Sequence, residues 1–389
     1  MSARRPKLEP LPIAAVMIVR DEGPNLPRLL ESLRGRVQEV ICVDTGSRDD
    51  TITIARGAGA IVASYPWIEH FAAARNAAGA IAQTRGHRWA LVVDGDDEVI
   101  AGWEELRAWL AAAPPAQAVG LVEVRNGPTQ TVHLRRNVYR LDLCHYDGRI
   151  HEQIAAPGPE GTPTGIVLRH HGYTPEENAR KDRDSRNLRL LRLALAELPA
   201  GDFRAPYYHW HIGLTLARAP YAGDPAGAQD EGHPLHHFLR AEQLADPSAC
   251  YLPALVRNTC TTLARCRRGE EALRRLHAAQ RRWPTLPDFP YAEALILSTL
   301  RAPPADERAR ELLGRALELG EVPPQLHTTW QGAGSYLARA LLGELLERAG
   351  DLAGAREHYT AAAPQSPKAA ARLAALAPKE IQDAPSSAA

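Results

Sequence analysis

The sequence predicts an α/β domain built on a mostly parallel sheet, followed by an all-α helical-repeat domain. Three observations carry that expectation. Over about the first 175 residues, short apolar runs rich in β-branched residues alternate with helical patterns, the rhythm of a parallel sheet covered by helices on both faces. From about Pro175 onward the texture changes to long stretches rich in Ala, Leu, Arg and Glu. The length of 389 residues suits two to three domains at about 150 residues each.

Ile13–Val19 reads as a buried parallel strand. Asn25–Arg34 follows with Leu26, Leu29, Leu30 and Leu33 at helical spacing. Glu39–Val43 is a second strand and Thr51–Ala58 a second helix, with Asp49 or Asp50 placed to cap it. Ala60–Ser64 reads as a third strand and Phe71–Gln83 as an alanine-rich helix. Trp89–Val93 is a fourth strand that runs into the acidic cluster Asp94–Glu98. Gly120–Arg125, Thr131–Arg136 and Gly165–His170 are later strands, with antiparallel pairing open to them. Arg183–Leu198 is strongly helical.

The clearest later unit is Tyr336–Pro367. Leu337, Ala338, Leu341, Leu342 and Leu345 lie on one helix, Gly350-Asp351 forms the turn, and Ala355, Tyr359 and Ala362 lie on a second helix. This resembles the tetratricopeptide (TPR) pattern, and Leu255–Trp283 and Tyr291–Leu319 look like weaker copies. Such pairs cannot bury their faces singly, so they are expected to stack. The expected divisions are a flexible tail over 1–10, the α/β domain over 11–180, the repeats over 181–377 and a disordered tail over 378–389.

Composition narrows the function. With 45% hydrophobic and 24% charged residues the chain is neither disordered nor fibrous. Lys+Arg and Asp+Glu both number 46, without the basic excess of a nucleic-acid binder. Ile13–Val19 is too short to span a bilayer and lacks a cleavage-site pattern, so no transmembrane or signal segment is expected. The cysteines at 42, 144, 250, 260 and 266 are odd in number and form no CxxC pair. That points away from a disulfide scaffold or zinc module and toward the cytoplasm.

Ligands of an open parallel sheet bind beyond the carboxyl ends of its strands. Three predicted strand ends carry polar residues: Arg20-Asp21-Glu22, Asp44 through Asp50, and Asp94 through Glu98. Their convergence would make one acidic, hydroxyl-lined cleft, although Asp and Ser after a strand are also ordinary turn and cap residues. Neither GxGxxG nor GxxxxGK follows the first strand, so phosphate binding is expected to rely on a metal.

Taken together, MIVRDEGPNLPRLLESL, VICVDTGSRDDTITIARGAGA, YPWIEHFAAARNAA and WALVVDGDDE resemble the opening of the family 2 glycosyltransferases with the GT-A fold. The resemblance continues through YDGRIHEQI and HHGYTPEENARKDRDSRNLRLL, covering roughly residues 11–200. It is nearest to the soluble branch with helical repeats behind the catalytic domain, related to bacterial peptide glycosyltransferases.

The resemblance implies a metal-dependent, inverting transfer of a sugar from a nucleotide-diphosphate donor, a UDP-sugar above all, to a peptide, protein or glycan. Asp44 is then expected to contact the nucleoside, with Arg20, Asp21 and Glu22 lining the same pocket and Arg75 approaching the diphosphate. A divalent cation, Mn²⁺ or Mg²⁺, would neutralise the leaving diphosphate, held by Asp94 and Asp96, with Asp94 also reaching the ribose. His170 stands where a late histidine completes the metal or pyrophosphate shell, with His171 as its alternative. The branch usually carries Asp-Ala-Asp-Glu, so Asp97 is an extra acid whose role stays open. In the pair His151-Glu152, Glu152 is the expected general base. The competing reading is a structural ion pair of Glu152 with Arg149 or Arg136. Trp67 and Phe71 read as core. A scaffold with an inactive domain is the rival function, and an oligomer through the repeats is open.

Overall fold

A computed structural model describes residues 9–126, 132–158, 161–172, 182–218, 229–322 and 328–376. The tail expected over 378–389, most of that over 1–10, and Thr131 lie outside the described residues. The chain divides into two compact units, Met1–Thr215 and Leu216–Ala389. The helices Arg183–Glu197 and Ala205–Leu216 therefore fall wholly or almost wholly with the sheet.

In the first unit the opening elements are β1 (Leu11–Val19), α1 (Leu26–Leu33), β2 (Val37–Asp44), α2 (Thr51–Gly57), β3 (Ile61–Ser64), α3 (Phe71–Thr84) and β4 (Trp89–Val92). These follow the predicted order. Next come β5 (Asp97–Ala101), α4 (Trp103–Ala112), β6 (Val119–Asn126), β7 (Val132–Arg140), β8 (His145–Asp147), β9 (Gln153–Ala155) and β10 (Thr162–His170). Of these, β5, α4 and the β8–β9 hairpin carry no periodic signal that the sequence reading recovered. Eight strands form one sheet in the order β3-β2-β1-β4-β7-β6-β10-β5. β3, β2, β1 and β4 run parallel, as do β6 and β10; β7 and β5 pair antiparallel to their neighbours.

Alternation along β1 explains its central place. Ile13, Ala15, Met17 and Val19 bury on one face against Leu26, Leu29, Leu30 and Leu33 of α1 and Leu106 of α4. Ala14 and Val16 bury on the other against Ala72, Ala78 and Ala82 of α3. A strand covered on both faces has no polar side to show. Trp67 and Phe71 are not core: both are half-buried, edge to face at 4.9 Å, with the Arg186 guanidinium over Phe71. The helix of seven residues after β2 is not capped by Asp50; the Asp49 carboxylate accepts the Thr51 N–H instead.

After β10 the unit holds α5 (Arg183–Glu197) and most of α6 (Ala205–Leu216). The second unit is helical: α7 (Pro234–Leu244), α8 (Leu252–Arg265), α9 (Gly269–Arg282), α10 (Asp288–Ser298), α11 (Pro303–Leu319), α12 (Tyr336–Arg348), α13 (Leu352–Ala362) and α14 (Pro367–Ala375). From α8 to α14 each helix packs on the next, the stacking expected of TPR-like repeats. The predicted pair is α12 and α13. Asp351 caps α13 by accepting the Gly354 N–H at 2.9 Å, and the fully buried Tyr359 crosses at Gly343. A Cβ at Gly343 would come within 2.7 Å of that ring, which is why a residue without one stands at the crossing.

Candidate active site

The site is assembled from the carboxyl ends of β1, β2 and β4 together with α3, β10 and the β8–β9 hairpin. The first two strand ends are laced together. The Asp21 N–H donates to Ser47 Oγ at 3.0 Å and the Asp21 carboxylate accepts the Arg48 N–H at 2.7 Å. The Glu22 N–H donates to the buried Thr51 hydroxyl at 2.8 Å, and the Glu22 side chain packs against Gly95. Asp44, 3% exposed, turns its carboxylate onto the N–H groups of Gly46 and Ser47. Arg20 is exposed at the rim. The three predicted clusters thus meet.

Beyond β4 the acids divide into two sets. Asp94 faces arginines: its Oδ1 receives Arg75 Nη2 at 2.8 Å and its Oδ2 lies 3.7 Å from Arg135 Nη1. Burial pushes the Asp94 carboxyl up, but the charges of Arg75 and Arg135 outweigh it and hold the group well below the usual range. Asp96, Asp97 and His170 form the other set. All three are buried, and one ligand atom from each lies within 4.8 Å of the others. His170 Nδ1 is 2.8 Å from Asp97 Oδ1 and 3.5 Å from Asp96 Oδ1. The second Asp97 oxygen accepts the Asp94 N–H at 2.8 Å, linking the sets. Burial alone would lower the His170 pKa; its bond to Asp97 and the charges of Asp96, Asp97 and Asp94 raise it.

In this buried cluster Asp97, rather than the Asp94 of the expected set Asp94, Asp96 and His170, stands beside Asp96 and His170. The reason is the chain's path. β5 begins at Asp97 and pairs antiparallel with β10 so that Asp97 and His170 are register partners, while Asp94 stops short of the turn and meets guanidinium groups. His170, not His171, faces these acids; His171 reaches Glu98 at 3.1 Å. Gly172 is forced to be glycine by this closeness, since a Cβ there would fall on the Asp96 carboxylate. Arg183 donates to the other Asp96 oxygen at 3.2 Å.

Glu152 follows the turn between β8 and β9. Its Oε1 receives Arg75 Nε at 2.6 Å. Its arginine partner is thus Arg75, not Arg149 or Arg136; Arg149 pairs with Glu197 and with the Glu69 carbonyl. Arg75 commits two nitrogens to Asp94 and Glu152, and although burial works against its charge, those two acids raise its pKa. His151 has a φ of 53° and lies against the His211 ring, the centroids 4.1 Å apart and the planes tilted by 40°. A cavity of about 550 Å³ is lined by Arg75, Asp94, Arg135, Tyr146, His151 and Glu152, among others. Sequence reasoning missed Arg135 and Arg183. Both sit in Arg-rich runs whose facing side no spacing reveals.

An open sheet with acids gathered at its parallel strand ends, beside a cavity lined by ion-paired carboxylates, is an α/β domain with its candidate ligand site beyond the strand ends. Residues 14–167 match the glycosyl transferase family 2 profile, and this part of the chain is a family 2 glycosyltransferase domain. A TPR repeat-containing protein of Synechococcus elongatus is 35% identical over 201 residues, 48% of this chain and 49% of that protein. An uncharacterized glycosyltransferase of Rickettsia felis is 33% identical over 87 residues, 22% of this chain and 29% of its own length. The chain thus spans half or less of these curated relatives. Among solved structures, a thermophilic TPR protein of Thermus thermophilus aligns with a TM-score of 0.36 at 21% identity, over 52% of this chain and 94% of that one. S. aureus TarS in complex with UDP aligns with a TM-score of 0.36 at 14% identity, over 69% and 91%. Among the described residues no helix is long and apolar enough to cross a membrane.

Proposed function

We propose that this chain is a divalent-cation-dependent, inverting glycosyltransferase that moves a sugar from a UDP-sugar to a hydroxyl of a peptide, protein or glycan. The observation that supports it best is the buried set of Asp96, Asp97 and His170 beside the cavity that Asp94 and Glu152 share. Two hard carboxylate oxygens and an imidazole suit Mn²⁺ or Mg²⁺. Bound there, the cation would supply positive charge against the charge growing on the leaving diphosphate.

In this reading Asp44, with Arg20, Asp21 and Glu22, takes the nucleoside at the laced strand ends. The acceptor oxygen forms its bond to the anomeric carbon as the bond to the diphosphate oxygen breaks, its electrons remaining on the diphosphate. The acceptor's proton passes to the Glu152 carboxylate. The helical repeats present the acceptor or a second copy of the chain, and the work is done in the cytoplasm.

A second reading, a repeat scaffold with an inactive domain, is favoured by one observation: the Synechococcus relative is named for its TPR repeats. UDP release from UDP-sugars, measured with Mn²⁺ and again with EDTA, decides between them. Release that EDTA abolishes is expected. No release with any UDP-sugar in Mn²⁺ rejects the enzyme reading.

A further inference from the structure

We propose that Arg75 is a positioning residue for Glu152, tying its carboxylate to Asp94 and fixing which oxygen meets the acceptor. The inference rests on the base reading above.

The first half of α3 holds the β8–β9 hairpin at the backbone. The Phe71 N–H donates to the Arg149 carbonyl at 2.8 Å. Asn76 clasps Tyr146 in both directions, its Nδ2 donating to the Tyr146 carbonyl at 2.9 Å and its Oδ1 accepting the Tyr146 N–H at 2.7 Å. A neighbouring strand would bind the hairpin edge in the same way, so the hairpin cannot slide along α3 without breaking these bonds.

Arg75, next to this clasp, lies over the Tyr146 ring at 5.6 Å and reaches two acids that come from separate elements. Nε bonds Glu152 at 2.6 Å and Nη2 bonds Asp94 at 2.8 Å. The planar guanidinium fixes direction as well as distance, so each acid is set relative to the other. The side chains of Arg75 and Glu152 are only 14% and 12% exposed, which leaves this pair rather than solvent to orient the carboxylate. Nη1 is buried with no hydrogen-bond partner among the described residues, an arrangement tolerated only where the other bonds hold the group in place. With Oε1 taken by Arg75, Oε2 is the oxygen left to receive the acceptor's proton. A lysine has one ammonium and cannot hold both acids in this geometry.

The test is a double-substitution cycle on the full chain. Its readouts are UDP release with Mn²⁺ and water as acceptor, and Tm. The donors are UDP-glucose, UDP-galactose, UDP-N-acetylglucosamine and UDP-N-acetylgalactosamine, the cycle using whichever is turned over. Arg75→Gln is expected to lower kcat about 10²-fold while the donor KM changes less than about fivefold, with Arg75→Lys recovering part of the loss. In the Glu152→Gln background the same Arg75→Gln change should cost less than about threefold, because its route of action is gone. Equal losses in both backgrounds overturn the positioning role alone. Wild-type turnover by Glu152→Gln overturns the base reading and the inference with it. Absence of UDP release by the unaltered chain with all four donors overturns the transfer reading itself. If melting shows that Arg75→Gln does not fold, Arg75→Lys carries the same cycle.

Discussion

His170 lies directly across the sheet from Asp97, with its Nδ1 2.8 Å from the Asp97 Oδ1, because β10 pairs antiparallel with β5 in that register. If these two residues and Asp96 hold the cation, His170→Ala and Asp97→Asn should each weaken Mn²⁺ binding by about tenfold or more, with Asp94→Asn changing it less than about threefold. Calorimetric titration with MnCl₂ measures all three. A large loss at Asp94 with none at His170 would move the cation to the pair Asp94 and Asp96.

Gly172 packs its backbone closely against that cluster. A Cβ there would meet both the Asp96 carboxylate and His170 Nε2, at 3.0 Å from the latter. Gly172→Ala is expected to cost about 1–3 kcal/mol through overpacking and to weaken Mn²⁺ binding as Asp96 is pushed aside. Melting and the same titration follow the two effects. An alanine variant that binds Mn²⁺ as tightly as the wild type would show that Asp96 is free to move without consequence.

In the helical unit the crossing of Gly343 and Tyr359 makes a prediction independent of catalysis. Gly343→Ala should destabilise by about 1–3 kcal/mol, because the Tyr359 ring is fully buried and its hydroxyl is held by Glu347 at 2.9 Å. Helix propensity alone would favour the alanine by about 1 kcal/mol. The sign of the stability change in denaturant unfolding therefore tells which effect wins, and a stabilised variant would reject the tight crossing.

Burial, with the positive charges of Arg135 and His170, lowers the His133 pKa from 6.5 to about 4. A histidine kept neutral in the fold takes up its proton only on unfolding. Its contribution is therefore intact above pH 6.5 and is lost as pH falls from 6.5 toward 4. By pH 5 the loss amounts to about 1–2 kcal/mol. Between pH 7 and pH 5 the Tm of His133→Gln should fall less than that of the wild type; identical falls would mean that His133 is not held neutral.

Much of this protein is legible in its residues alone. The spacing of Leu26, Leu29, Leu30 and Leu33 predicts α1, and all four are buried. The apolar runs predict β1 to β4 because a strand covered on both faces has to be apolar along its length. The Gly350-Asp351 turn and the pattern around it predict α12 and α13, since a helix pair leaves its marks within one short stretch of chain. The strand-end acids could be named for the same local reason.

Their partners could not. β5 starts inside an acidic cluster whose residues have low strand propensity, and only pairing with β10 makes it a strand. That pairing selects Asp97 over Asp94, and His170 over His171, although neighbouring residues in sequence are chemically alike. Arg75 meets Glu152 across 77 positions of chain, and no periodicity connects two residues so far apart. Local spacing decides which helices and strands form, because propensity and burial pattern act over a few residues. Which charge faces which is decided by register and by the docking of the β8–β9 hairpin on α3, long-range contacts that exist only once the chain is folded.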